Sequence, residues 1–191
     1  MAPLEPMQSL AFSWGSHVCL FYSGPQQLRR FMSTYFDAGI ESGARCILIS
    51  AEHLTQKQVE SALSGFPSAK TLLRTDQLRV IPYDDWYLYG GRFDSDHALE
   101  SAHRQAEEAH KDGFAGLRVL GDFGWLRTAE ERRNFVEYER LVSRHIEQGR
   151  LVGLCAYPAS CWNPDAMLNV MESHHQLILP SAAGWKRCRM V

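Results

Sequence analysis

Apolar residues in this chain fall into two spacings that alternate along it. Short continuous runs occur at His17–Tyr22 (HVCLFY), Arg45–Ser50 (RCILIS), Leu78–Pro82 (LRVIP), Gly116–Gly121 (GLRVLG), Leu151–Tyr157 (LVGLCAY) and Gln176–Leu179. Runs of this length, bounded by Gly, Ser and Pro, predict strands covered on both faces. Between them the spacing changes. Leu28, Phe31, Met32, Tyr35, Phe36, Gly39 and Ile40 recur at steps of three and four, the apolar stripe of a helix that Gly43 ends. Ser95 to Asp112 predicts a polar helix whose Ala98, Ala102, Ala106 and Ala109 let it approach the sheet closely. Thr128 and Glu131 form a capping box for a helix with Phe135, Tyr138, Leu141, Val142, His145 and Ile146 inward. A second capping box, at Thr55 to Gln58, opens a modest helix through about Ser64, with another turn at Ala69–Arg74, and Asn163-Pro164 starts the last helix.

Strands alternating with helices imply an α/β fold of three layers, a mostly parallel central sheet with helices on both faces. Residues 1–14 read as a lead-in, with Phe12 and Trp14 folded onto the core. Residues 15–180 read as one domain, and residues 181–191 as a short, basic, peripheral tail.

Composition narrows the function. The chain has 191 residues, a net charge of −2 and 22% charged residues, so no electrostatic case exists for a nucleic-acid or membrane-surface binder. No apolar run approaches the roughly 20 residues of a membrane span. The first residues lack the basic and apolar regions of a secretion signal, and a cytoplasmic location is the expectation. Cys19, Cys46, Cys155, Cys161 and Cys188 are an odd set without Cys-x-x-Cys spacing, which argues against disulfides and a zinc knuckle. The histidines are scattered, and the adjacent pair His174-His175 would diverge on a helix or strand. No metal site and no cofactor are therefore expected.

The turn after the first strand, Tyr22-Ser-Gly-Pro-Gln-Gln-Leu28, is where a nucleotide-binding α/β domain would hold phosphates. A phosphate loop needs Gly-x-x-x-x-Gly-Lys-Ser/Thr. Here there is one glycine and no lysine, no Ser/Thr opens the helix, and Pro25 removes an N–H donor. The frame is that of a nucleotide-binding domain without its Walker A loop.

Ligands of open α/β sheets bind beyond the carboxyl ends of the strands. Tyr22 to Gln26, Glu52, the segment Tyr83–Tyr89, Asp122 to Trp125 and Tyr157 meet that condition, and the first of these strands starts at His17. Together they suggest an aromatic pocket edged by acids, suited to a small apolar ligand with a polar handle. The candidate ligand-binding residues are His17, Tyr22, Glu52, Trp86, Tyr87, Asp122, Trp125 and Tyr157. Each has a plainer reading. Glu52 is either a functional carboxylate or a solvated strand-end acid. Asp122 either orients magnesium or caps its own turn, the rings are either ligand wall or core, and His17 is either a ligand group or a hydrogen-bonded structural histidine. Cys155, mid-strand, reads as a buried hydrophobe rather than a reactive thiol. No catalytic grouping has local support.

Taken in order, His17-Val-Cys19-Leu-Phe21-Tyr22, Phe31 with Gly39-Ile40 and Gly43, Cys46-Ile-Leu-Ile49, Tyr87-Leu88 with Gly91-Arg92-Phe93-Asp94, Gly116-Leu117-Arg118-Val119 with Asp122 and Trp125, Tyr138-Glu139 and Leu154-Cys155-x-Tyr157 resemble the MEDS family, the methanogen/methylotroph DcmR sensory domain. The resemblance runs from about Gly15 to about Pro180. It implies a RecA/KaiC-like core with a degenerate Walker A loop, in which Glu52 and Asp122 take the places of the acids of KaiC-like ATPases. It also implies a non-enzymatic sensory role in signal transduction and transcription regulation, with a small organic molecule as ligand. Family members are usually joined to an output domain. The flanks here are too short for one, so the signal would pass to a regulatory protein partner or through a homo-oligomer, unless the chain is cut from a longer regulator. Two alternatives stay open: a divergent ATPase using Glu52 and Asp122, and an interaction module that dimerises through Trp86 to Tyr89.

Overall fold

The computed structural model describes residues 5–6, 12–53, 61, 63, 69–147, 149–181 and 184–190. The helix expected between Thr55 and Ser64 lies almost wholly outside these residues. In chain order the elements are β1 (Glu5–Pro6), β2 (His17–Tyr22), α1 (Pro25–Glu41), β3 (Arg45–Ser50), α2 (Ala69–Arg74), β4 (Leu78–Pro82), α3 (Tyr83–Tyr87), β5 (Leu88–Tyr89), β6 (Arg92–Phe93), α4 (Ser95–Lys111), β7 (Leu117–Asp122), α5 (Ala129–Ile146), β8 (Leu151–Pro158), α6 (Pro164–Glu172), β9 (Gln176–Ser181) and β10 (Gly184–Arg189).

One sheet of eight strands runs β1-β10-β9-β2-β8-β7-β3-β4, with β5 and β6 forming a separate hairpin. From β9 to β4 every pairing is parallel, while β10 and β1 add antiparallel strands at one edge. The fold is the expected three-layer α/β arrangement. Every residue of β2 and β3 is buried, as continuous apolar runs require of central parallel strands. The tail is no peripheral appendage. Trp185 of β10 packs edge-on against Phe31, ring centroids 4.9 Å apart.

Local chemistry sets the helix starts. Asp94 accepts a hydrogen bond from the His97 N–H, Asn163 from that of Ala166, and Thr128 and Glu131 satisfy each other reciprocally. Helix α1 has no such cap. Its entry turn is closed instead by the Gln27 side-chain oxygen, which accepts from the Ser23 N–H at 2.6 Å.

The two faces of the sheet bury different things. On one, Val18, Leu20, Leu48 and Leu120 pack against Phe31, Met32, Tyr35 and Phe36 of α1 and Leu72 of α2. Phe12 joins this side beside Tyr35, as expected of the lead-in, whereas Trp14, expected there too, is exposed. On the other, Cys19, Phe21, Ile47, Ile49, Cys155 and Tyr157 face α3, α4, α5 and α6.

Candidate functional site

Among the described residues, two recesses hold most of the side chains singled out in the sequence. The first lies past the strand ends, where a nucleotide would sit. It is a cleft of about 480 Å³ lined by Tyr22, Ser50, Glu52 and Asp122, with Arg29 and Arg127 at its wall. The entry turn itself has no lysine, but these two arginines bring positive charge to the cleft. Asp122 Oδ1 accepts from the Tyr22 hydroxyl at 2.8 Å and from the Gly124 N–H at 3.1 Å. Burial raises its pKa, and those two bonds partly offset the rise. Asp122 therefore does cap its own turn. Glu52 is exposed.

The second recess is a cavity of about 280 Å³ within the other face, between β7–β8 and the helices α4 and α5. Trp86, Tyr87, Phe123 and Tyr138 supply aromatic walls, and Glu100, His103 and His145 stand at its exposed side. His145 was expected to point inward. It is exposed, with its ring Nδ1 2.8 Å from the Leu141 carbonyl. The small residues of α4 do not all bring the helix down on the sheet either: Ala102 lines the cavity, so its missing bulk is open space. From the sheet side, a Cβ on Gly121 would lie 2.8 Å from the Tyr87 hydroxyl, and one on Gly153 would lie 3.1 Å from Ile146. Glycine at these two strand positions preserves the room.

The polar end of this cavity holds His17, Glu139 and Cys155, with His174 directly behind. All four are buried. His17 Nε2 lies 3.0 Å from Glu139 Oε2 and 3.3 Å from Cys155 Sγ. The Cys155 thiol is 3.5 Å from Glu139 Oε2, and His174 Nε2 is 3.6 Å from the same oxygen. The two imidazoles stack with centroids 3.9 Å apart. The other carboxylate oxygen, Oε1, accepts from the Tyr157 hydroxyl.

The outer nitrogens define the tautomers. His174 Nδ1 is 2.7 Å from the Val170 carbonyl, which can only accept, so Nδ1 carries the proton. His17 Nδ1 is 2.7 Å from Ser143 Oγ, whose own proton goes to the Ser173 carbonyl. Both Nε2 atoms thus present bare lone pairs to the cluster. Burial, and then neighbouring histidine charge, pushes the pKa of each ring down to about 3. Burial raises Glu139, with His174 and Tyr157 offsetting part of the rise, and burial next to Glu139 raises the Cys155 thiol.

The eight candidates from the sequence therefore divide. Tyr22, Glu52 and Asp122 line the strand-end cleft, and His17, Trp86 and Tyr87 line the cavity. Tyr157 does not line the cavity and reaches it through its bond to Glu139 and its stacking on Phe123. Trp125 stacks between Tyr83 and Tyr87, at 5.0 and 5.6 Å, as part of the aromatic packing. Glu139 and His174 were missed, and Cys155 was set aside. A signal for Glu139 existed: it falls four residues after Phe135, inside the apolar stripe of α5, where a charge needs a reason.

The sequence model of the methanogen/methylotroph DcmR sensory domain, MEDS, matches residues 16–175. The chain belongs to the MEDS family. Among solved structures, a KaiC-like protein of the hyperthermophilic archaeon Pyrococcus horikoshii is similar at TM-score 0.61 and 12% identity, over 92% of this chain and 77% of that one. The flagellar accessory protein FlaH of Methanocaldococcus jannaschii is similar at TM-score 0.52 and 11% identity, over 91% and 76%. At these identities the likeness is one of fold, RecA/KaiC-like as expected. No curated protein matches. Among the described residues, no helix of this MEDS domain is long and apolar enough to cross a membrane.

Proposed function

We propose that this MEDS domain is a non-enzymatic sensor that takes a small, mainly apolar organic molecule with one polar group into the cavity between α4 and α5. The observation that carries this reading is the cavity itself: aromatic and aliphatic walls around about 280 Å³, closed at one end by His17, Glu139 and Cys155. A dry cavity of about 150 Å³ already admits benzene. The apolar walls favour the ligand body, and the polar end gives one hydrogen-bonding direction. This moves the pocket from the strand ends, where the sequence put it, to the face of the sheet. Occupancy would act on α4 and α5, which form its outer wall, and through them on a regulatory protein partner or a second copy, in the cytoplasm.

The test is thermal unfolding with phenol and n-butanol as probes, together with native mass spectrometry of protein from its own host. A ligand at 100 times its Kd stabilises by about 2.7 kcal/mol. Stabilisation by either probe, lost in Ala102→Phe, is expected. Equal response in Ala102→Phe, or no response and no retained molecule, refutes the reading.

A second reading, a divergent ATPase, is favoured by Arg29 and Arg127 beside Glu52 and Asp122 in the strand-end cleft. Calorimetric titration with ATP and Mg²⁺ separates the two, since the sensor reading expects no heat at millimolar nucleotide.

A further inference from the structure

Four groups with lone pairs converge at the polar end of the cavity, and their geometry is that of a coordination shell. Two imidazole Nε2 atoms, one carboxylate oxygen and one thiol sulfur lie within 4.8 Å of one another. Donors bound at 2.0–2.3 Å to a tetrahedral Zn²⁺ are separated from each other by about 3.3–3.8 Å. Of the six separations among these four atoms, four are 3.0, 3.3, 3.5 and 3.6 Å, three of them inside that range, and the other two are within 4.8 Å. Among the described residues, His174 Nε2 is buried and has no hydrogen-bond partner. An acceptor left so, aimed at another acceptor, needs a proton or a cation between them.

We propose that His17, Glu139, Cys155 and His174 bind one Zn²⁺ ion. The donor types suit it, since imidazole, thiolate and carboxylate are its usual ligands. The charges also suit it. Two neutral imidazoles, a thiolate and a carboxylate carry −2, so a divalent cation makes the buried set neutral and removes the objection to burying charge there. The outer shell is in place: His174 Nδ1 donates to Val170, His17 Nδ1 to Ser143, and the Tyr157 hydroxyl to the second oxygen of Glu139. Such partners fix the tautomer and orientation of ligating side chains. The cavity, which three of the four ligands line, is the entry path. On binding, Zn²⁺ displaces the Cys155 thiol proton, and the Glu139 proton where the carboxyl carries one, and these leave as solvated protons.

The site does not depend on the sensor reading. Zinc uptake without any response to an organic molecule would leave it standing, and the converse would remove it while leaving the cavity. The experiment uses the full chain, freed of metal by chelator and titrated with Zn²⁺ against a chromophoric competitor, then with Co²⁺. One Zn²⁺ per chain is expected, and Co²⁺ should give intense tetrahedral visible bands with a thiolate-to-cobalt band in the near ultraviolet. Cys155→Ser should lose that band and weaken Zn²⁺ at least tenfold. The double variant Cys161→Ser/Cys188→Ser, at the cysteines that are not buried, should change neither. Less than one equivalent bound, a pale octahedral cobalt spectrum, or unchanged affinity in Cys155→Ser overturns the proposal. Should Cys155→Ser fail to fold, the wild-type cobalt spectrum and the double variant decide, because loss of the thiolate band in the double variant places the metal elsewhere.

Discussion

The two faces of the sheet solve the burial of polar groups in opposite ways. On the α1 face, the buried Tyr35 and Arg118 side chains reach main-chain carbonyls. The Tyr35 hydroxyl lies 3.1 Å from the carbonyls of both Val119 and Val152, and Arg118 donates to the Tyr35 carbonyl at 2.9 Å while lying over the Tyr35 ring. On the α5 face, the side chains of His17, Glu139, Cys155 and His174 turn toward one another. A side chain bonded to fixed backbone is spent on holding the fold. Groups that face each other keep their chemistry available for a proton, an ion or a ligand, and lose stability while that is absent. The α1 face is scaffold, and the α5 face is where a function can be placed.

Acid gives the largest separation. The rings of His17 and His174 have folded pKa values of about 3 against 6.5 when free, so their contribution to stability is present above 6.5 and lost as pH falls toward 3. Glu139 has the opposite sign: its raised pKa adds stability below 4.5 that is lost as pH rises through the folded value. Below pH 4.5 the unfolded Glu139 takes up its proton as well, so its contribution fades toward pH 3 and leaves that of the histidines. Metal-free protein should lose about 1.4 kcal/mol per pH unit for each histidine there. Denaturant unfolding of His174→Gln should show a shallower slope by that amount, and an identical slope would mean that the ring is not held neutral.

One chemical deletion made on both faces sharpens the contrast. Tyr157→Phe removes the hydroxyl that donates to Glu139, a charge-assisted bond when the carboxyl is ionised. It should cost about 1.5–3 kcal/mol and weaken Zn²⁺ about 10–100-fold. Tyr35→Phe removes a neutral bond to backbone and should cost only about 1 kcal/mol, leaving Zn²⁺ affinity and the acid slope untouched. Equal costs in urea melts, or equal effects on metal, would erase the distinction between the faces.

The six parallel strands were legible because their runs of apolar residues are continuous, whereas β10, in the stretch read as a tail, was not. The helix caps at Thr128 and Asn163 were equally local, each a contact across three residues. The missing phosphate loop could also be read directly, since it requires residue types that the turn at Tyr22 to Leu28 lacks. The candidate site was read only in part. His17, Trp86 and Tyr87 were named for their nearness to strand ends, yet they meet at mid-sheet under α4 and α5.

Alternation of strands and helices, fixed by spacings of a few residues, determined the three-layer frame, and the residue types of one turn determined that it carries no Walker A motif, both without reference to any contact. The meeting of residues 17, 139, 155 and 174 was decided by tertiary structure alone. It depends on β2 pairing with β8, where His17 lies opposite Gly153, two positions before Cys155 on the same face. It depends also on the rotation of α5 that turns Glu139 inward. The stripe of α5 turns Glu139 inward, but no local spacing says what it meets there, because that is settled by which surfaces the folded chain brings together.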